Sequence, residues 1–65
     1  MKIEVNGAPQ TVSATTLAAL LVELDLAEAR VATAVNGQFV PAAGRVDQPL
    51  SEGDRIEILS PMQGG

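Results

Sequence analysis

Leu17, Leu20, Leu21 and Leu24 recur at i, i+3, i+4 and i+7 within TTLAALLVELD, and this one apolar stripe restricts the chain more than any other feature. It predicts a helix with a single greasy face. Thr16, or Thr15, is the natural N-cap, its hydroxyl accepting from an amide of the first turn that would otherwise lack a partner. Each leucine contributes about 1.5–3 kcal/mol when fully buried, so the stripe must be covered. The chain has 65 residues and no cysteine, which excludes a disulfide scaffold and a thiolate metal site. A domain this short buries only about 60% of the surface its unfolded chain exposes. Apolar burial by the remaining residues therefore has to hold it, with a stability of a few kcal/mol.

Those remaining residues read as short strands. MKIEV alternates Met1, Ile3 and Val5 with Lys2 and Glu4, and Asn6-Gly7 follows as a turn that tolerates positive φ. Pro9 fits the return only at its start or at an edge, leaving QTVSA as the second strand. RVATAVNGQFV holds a third strand that turns at Asn36-Gly37 toward Phe39 and Val40, and Pro41 ends the pairing. PAAGRVDQPLSEGD reads as an irregular surface crossing anchored by Leu50, with Glu52-Gly53-Asp54 as a turn. RIEILS closes the domain, with Ile56 and Ile58 on one face and Arg55, Glu57 and Leu59 on the other. The order strand, strand, helix, strand, final strand predicts an α+β, two-layer β-grasp (ubiquitin-like) fold: a small mixed sheet of four strands with one helix across one face. A ferredoxin-like fold needs a second helix, and residues 41–53 are broken by Pro41, Gly44, Pro49 and Gly53. Residues 1–60 are expected to form the domain and 61–65 a flexible tail ending in Gly64-Gly65.

Eight acidic and four basic residues give a net charge of −4, which disfavours phosphate backbones, so no nucleic-acid partner is expected. The acidic side chains are scattered and read as a solvated surface. No apolar run approaches a membrane span and MKIEV lacks the apolar stretch of a signal peptide, so the expectation is a cytoplasmic protein without membrane contact. Histidine, cysteine, tryptophan and tyrosine are all absent and there is no phosphate-binding loop of the G-x-x-x-x-G-K-[ST] type. This is not the inventory of an autonomous enzyme, and neither a metal nor a cofactor is expected.

MKIEVNG, TTLAALLVELDL, VATAVNGQFVP and LSEGDRIEILSPMQGG resemble successive segments of the ThiS family, the small sulfur-carrier proteins of thiamine biosynthesis, over essentially the whole chain. The last segment is the most specific. The resemblance implies a β-grasp domain whose Gly65 carboxylate is adenylated with ATP by a ThiF-type adenylating enzyme and converted to a thiocarboxylate by way of a sulfur-donor protein. A ThiG-type thiazole synthase would then take the sulfur. The small subunit of molybdopterin synthase shares fold and ending but is typically longer, and the short loop around Gly44 favours the thiamine reading. Conjugation to other proteins through Gly65 is a further alternative. VPAAGRVDQ departs from those carriers, which often have a basic residue and an aromatic soon after the proline.

The chemistry of the ending agrees with that resemblance. Two terminal glycines arise by chance in roughly 0.5% of chains. Their position after the last strand of this pattern makes them a candidate site. Five extended residues reach about 16–18 Å, enough to enter a partner's pocket while the body stays outside. Glycine at 64 and 65 offers the narrowest cross-section and the widest choice of φ and ψ. The ionised α-carboxylate of Gly65 can attack the α-phosphate of ATP once oriented. Met62 is a candidate for a partner groove or for packing on the body. Leu59, facing away from Ile56 and Ile58 at the root of the tail, is a candidate for partner binding, and Phe39 belongs either to that patch or to the core.

Overall fold

The computed structural model describes residues 1–60, and its sheet is organised by two two-residue hairpins of the same chemistry. Asn6 and Asn36 both sit at φ 51°, followed by Gly7 at 84° and Gly37 at 86°. This is the left-handed pair that a tight hairpin turn requires and that Asn-Gly supplies with least strain. The first turn joins β1 (Lys2–Val5) to β2 (Ala8–Thr11) and the second joins β3 (Ala32–Val35) to β4 (Gln38–Val40). The last strand, β5 (Arg55–Leu59), lies between the two hairpins, giving the spatial order β2-β1-β5-β3-β4. It runs parallel to β1 and antiparallel to β3.

Two readings are corrected. Residues 38–40 form a strand of their own, so the sheet has five strands where the sequence pattern implied four. The second strand is Ala8–Thr11, four residues with Pro9 inside it, where the pattern placed QTVSA. The strand is at the edge of the sheet, where one side of the backbone has no ladder to make and proline is tolerated. Val12 and Ala14 lie beyond it yet are still buried. Val12 exchanges two hydrogen bonds with Met1, at 2.8 and 2.7 Å.

The helix α1 (Leu17–Glu23) starts at Thr16, whose hydroxyl accepts from the Ala19 amide at 3.2 Å. Its end is a Schellman arrangement without glycine. Asp25 takes φ 63°, the Leu26 amide donates to Leu21 O at 2.7 Å and the Asp25 amide to Val22 O at 3.0 Å. Leu24 therefore caps the helix and packs on the rim of the core, while Leu17, Leu20 and Leu21 are buried. Glu23 reaches back to the segment before the helix, its carboxylate accepting from Ser13 and Ala14 amides at 2.9–3.2 Å.

The core lies between the helix and one face of the sheet, where Ile3, Val5, Val35, Val40, Ile56 and Ile58 point inward. The crossing from β4 to β5 contains a 3-10 segment, Ala42–Asp47, which the scatter of proline and glycine had suggested would be irregular throughout. It is stitched to the helix start by Leu17 N to Gln48 O and Leu50 N to Thr15 O, both 2.9 Å. Leu50 is buried as its anchor. Glu52-Gly53-Asp54 forms the turn into β5, with Gly53 at φ 86° and Ser51 N donating to Asp54 Oδ2 at 2.8 Å.

Leu20 is 0% exposed and Val22, two residues along the same helix, is 66% exposed. Leu20→Ala is expected to cost about 2–5 kcal/mol in urea unfolding, close to the whole stability of a domain this size, and Val22→Ala less than about 0.5 kcal/mol.

Candidate functional site

Alternation along β5 decides what the end of the described chain presents. Ile56 and Ile58 are buried and Arg55, Glu57 and Leu59 face the open side of the sheet. The register then sets the neighbours of Leu59. Ala32 lies directly opposite it, and one step along β3 Ala34 stands between Glu57 on one side and Phe39 on the other. Both alanines are too small to fill the face, so Leu59 and Phe39 stand proud of it, 64% and 69% exposed. A shallow hollow of about 100 Å³ lies between them, lined by Ala32, Ala34 and Glu57. Phe39 thus belongs to the surface patch, one of the two places its sequence position allowed.

A second, larger groove of about 750 Å³ runs past the other flank of Leu59 to Ser60. Ala29, Val31, Ala32 and Ala42 line it together with Arg30 and Arg45, two of the four basic side chains in the chain. Arg45 has a structural duty there. Its Nε donates to Thr33 Oγ1 at 3.0 Å and its Nη2 to Val31 O at 2.6 Å. Thr33 is buried in the core, and its hydroxyl in turn donates to Val40 O at 2.8 Å. Among the described residues no buried side-chain polar atom lacks a partner. Arg45 therefore straps the 3-10 segment to β3 beside the exit of β5.

The upstream and downstream parts of β5 are each held by the side chain of a hairpin asparagine. Asn36 Oδ1 accepts from Arg55 N at 2.9 Å, and Asn6 Oδ1 accepts from Ile58 N at 2.8 Å. Among the described residues there is no group of three acidic or other metal-ligating side chains that could hold a metal ion, and no helix is long and apolar enough to cross a membrane. Of the predicted site residues, Leu59 and Phe39 are brought together on one face. Met62, Gly64 and Gly65 lie outside the described residues.

A mixed five-stranded sheet, one helix across one face and the last strand at its centre define a β-grasp domain of the ubiquitin-like kind. The ThiS family matches the chain over residues 3–65, and the chain belongs to that family of small sulfur-carrier proteins. A crystal structure titled thiamine biosynthesis protein (ThiS) from Geobacter metallireducens is 32% identical, with a TM-score of 0.85 and full coverage of both chains. A solution structure of a thiamine biosynthesis protein from the same organism is 30% identical, with a TM-score of 0.79, covering 100% of this chain and 88% of that one. No curated protein matches the chain.

Sequence reasoning took Asn6 and Asn36 only as turn formers and gave Arg45 no role. The clue to Arg45 was its position as the one basic residue between Val31 and Asp54, in a crossing that needs something to hold it down. Arg45→Met, which keeps the aliphatic stem, is expected to lower stability by about 1–2 kcal/mol in urea unfolding. Arg45→Lys should restore less than half of that, because a single ammonium cannot reproduce the two-pronged guanidinium contact.

Proposed function

We propose that the chain carries sulfur for formation of the thiazole moiety of thiamine, with the carboxylate of Gly65 as the reacting group. The observation that carries the reading is the ThiS match, which runs through the C-terminal Gly64-Gly65. In this scheme the Gly65 carboxylate attacks the α-phosphate of ATP on a ThiF-type enzyme, the bond to pyrophosphate breaks, and an acyl adenylate forms. The terminal sulfur of a persulfide on a donor protein then attacks the acyl carbon and AMP leaves, forming an acyl disulfide. A thiol reductant cleaves its S–S bond, taking the donor's sulfur into a new disulfide and releasing the thiocarboxylate that a ThiG-type synthase consumes. The chain is a co-substrate in each step and contributes no reactive side chain. Dependence on ATP assigns the chemistry to the cytoplasm.

Within this reading residues 1–60 are the body that a partner grips and 61–65 the segment that enters its active site, with Gly64 and Met62 in contact with the partner. Leu59 and Phe39 suit the grip, since an aromatic and a leucine beside a shallow hollow are the kind of anchors on which interface energy concentrates. Exposure of both side chains means that little of the domain's own stability depends on them.

The decisive measurement is the intact mass of the mature protein after incubation with the adenylating enzyme, ATP and a sulfur donor. A gain equal to one oxygen-to-sulfur exchange, absent when Gly65 is deleted, is expected; an unchanged mass would refute the assignment. Conjugates of higher mass that depend on Gly65 would instead indicate a protein modifier. Phe39→Ala and Leu59→Ser should each raise KM for adenylation roughly tenfold or more while shifting the urea midpoint little.

A further inference from the structure

Asn6 closes the first hairpin, yet its side chain is spent on a different strand. Oδ1 accepts from Ile58 N at 2.8 Å and Nδ2 donates to Ile58 O at 2.9 Å, so one amide satisfies both main-chain groups of a single β5 residue. The reason lies in the parallel β1–β5 ladder, whose rungs touch alternate residues of β5. Glu4 N donates to Asp54 O and Asn6 N to Ile56 O, both at 2.9 Å. The next rung falls at Ile58, but at Asn6 the main chain has already turned away at φ 51°. The side-chain amide supplies the rung that the backbone cannot.

Asn36 is its counterpart in the same turn conformation, and it acts at the other end of the strand. Its Oδ1 accepts from Arg55 N at 2.9 Å and its Nδ2 donates to Asp54 Oδ1 at 3.0 Å. One asparagine holds the first residue of β5 and the other holds the fourth, one residue before Leu59 and two before Ser60.

We propose that Asn6 is a positioning residue for activation of the C-terminus: it fixes where and in which direction the main chain leaves the sheet, through Ile58. This rests on the reading of the chain as a carrier activated at Gly65. A partner that has gripped the body must align the carboxylate with a nucleotide, and a frayed strand end would have to be ordered at that moment, slowing the reaction. With the exit fixed beforehand, the ordering is already done. Asn36 makes bonds of the same kind and does not set the exit, so it serves as the matched control.

Asn6→Gly and Asn36→Gly each keep a residue that accepts positive φ and each remove two side-chain hydrogen bonds. The test measures urea midpoints, backbone order at Leu59 and Ser60 by NMR relaxation, and steady-state adenylation with the cognate adenylating enzyme and ATP. Both variants should lose comparable stability. Only Asn6→Gly should lower order at Leu59 and Ser60 and reduce kcat by about tenfold, the equivalent of two modest hydrogen bonds, with KM within about threefold. Asn36→Gly should keep kcat within about twofold. Asn6→Asp keeps the acceptor for Ile58 N and loses the donor, so it should fall between wild type and Asn6→Gly; it also serves should Asn6→Gly not fold. Equal losses of kcat at positions 6 and 36, or unchanged order at Leu59 in the Asn6 variants, would overturn the inference. If the wild-type chain is not adenylated at all, the carrier reading fails, and the relaxation data alone still decide whether Asn6 anchors the strand end.

Discussion

The structure depends on β5 being the last strand in sequence and the middle strand in space. Its inner residues, Ile56 and Ile58, complete a core whose other members come from the first forty residues and from Leu50. Its two ladders join the hairpins into one sheet, antiparallel to β3 over four residue pairs and parallel to β1 over two. Pairs such as Glu4 with Arg55 span nearly the whole chain, and loop-closure entropy opposes such contacts until most of the domain is in place. The strand that leads to the C-terminus is therefore secured only when the rest of the domain has folded. Under the proposed function, a carrier of this design would offer its reacting end on a complete body.

The parallel ladder is the weaker side of that arrangement. Two residue pairs are a short pairing, and β1 cannot prolong it because its turn begins at Asn6. The side chains that close the hairpins extend the hold on β5 beyond the reach of the strands. Arg45 does the equivalent for the 3-10 crossing, fastening it to β3 through Val31 and Thr33. At β5 a side-chain amide bonds main-chain groups beyond the reach of the ladder, and at the crossing a guanidinium bonds the Val31 carbonyl oxygen and the Thr33 hydroxyl. This is how a domain with 46% hydrophobic residues and no disulfide keeps a short sheet in register.

Local features were legible in the sequence and long-range ones were not. The leucine stripe, the Thr16 cap and the Asn-Gly turns depend on residues within a few positions of one another, and the structure has all of them. The alternation of RIEILS was readable for the same reason, and it placed Leu59 on the outer face. Pro9 misled because its effect depends on whether the strand is at an edge, which only the completed sheet decides. Phe39 stayed ambiguous although the signal was present. A two-residue turn at Asn36-Gly37 pairs Val35 with Gln38 and Ala34 with Phe39, so the inward side of Val35 fixes Phe39 outward. The bonds of Asn6 to Ile58 span 52 residues and have no local signature.

Parity along β5 also explains how one five-residue strand can serve stability with one face and leave the other open for the recognition proposed above. Residues 56 and 58 are committed to the core, where a change of shape is felt by the helix packed above. Residues 55, 57 and 59 face the open side and tolerate change as far as folding is concerned. Placing Leu59 there leaves an apolar side chain exposed at the end of the strand, on the same face as Phe39. Ala32 and Ala34 keep the neighbouring face low, so Leu59 and Phe39 stand above it with the hollow between them. A larger residue at 34 would fill that hollow and flatten the relief without touching the core. The shape of the patch is thus set by the small residues of β3 as much as by the large ones beside them.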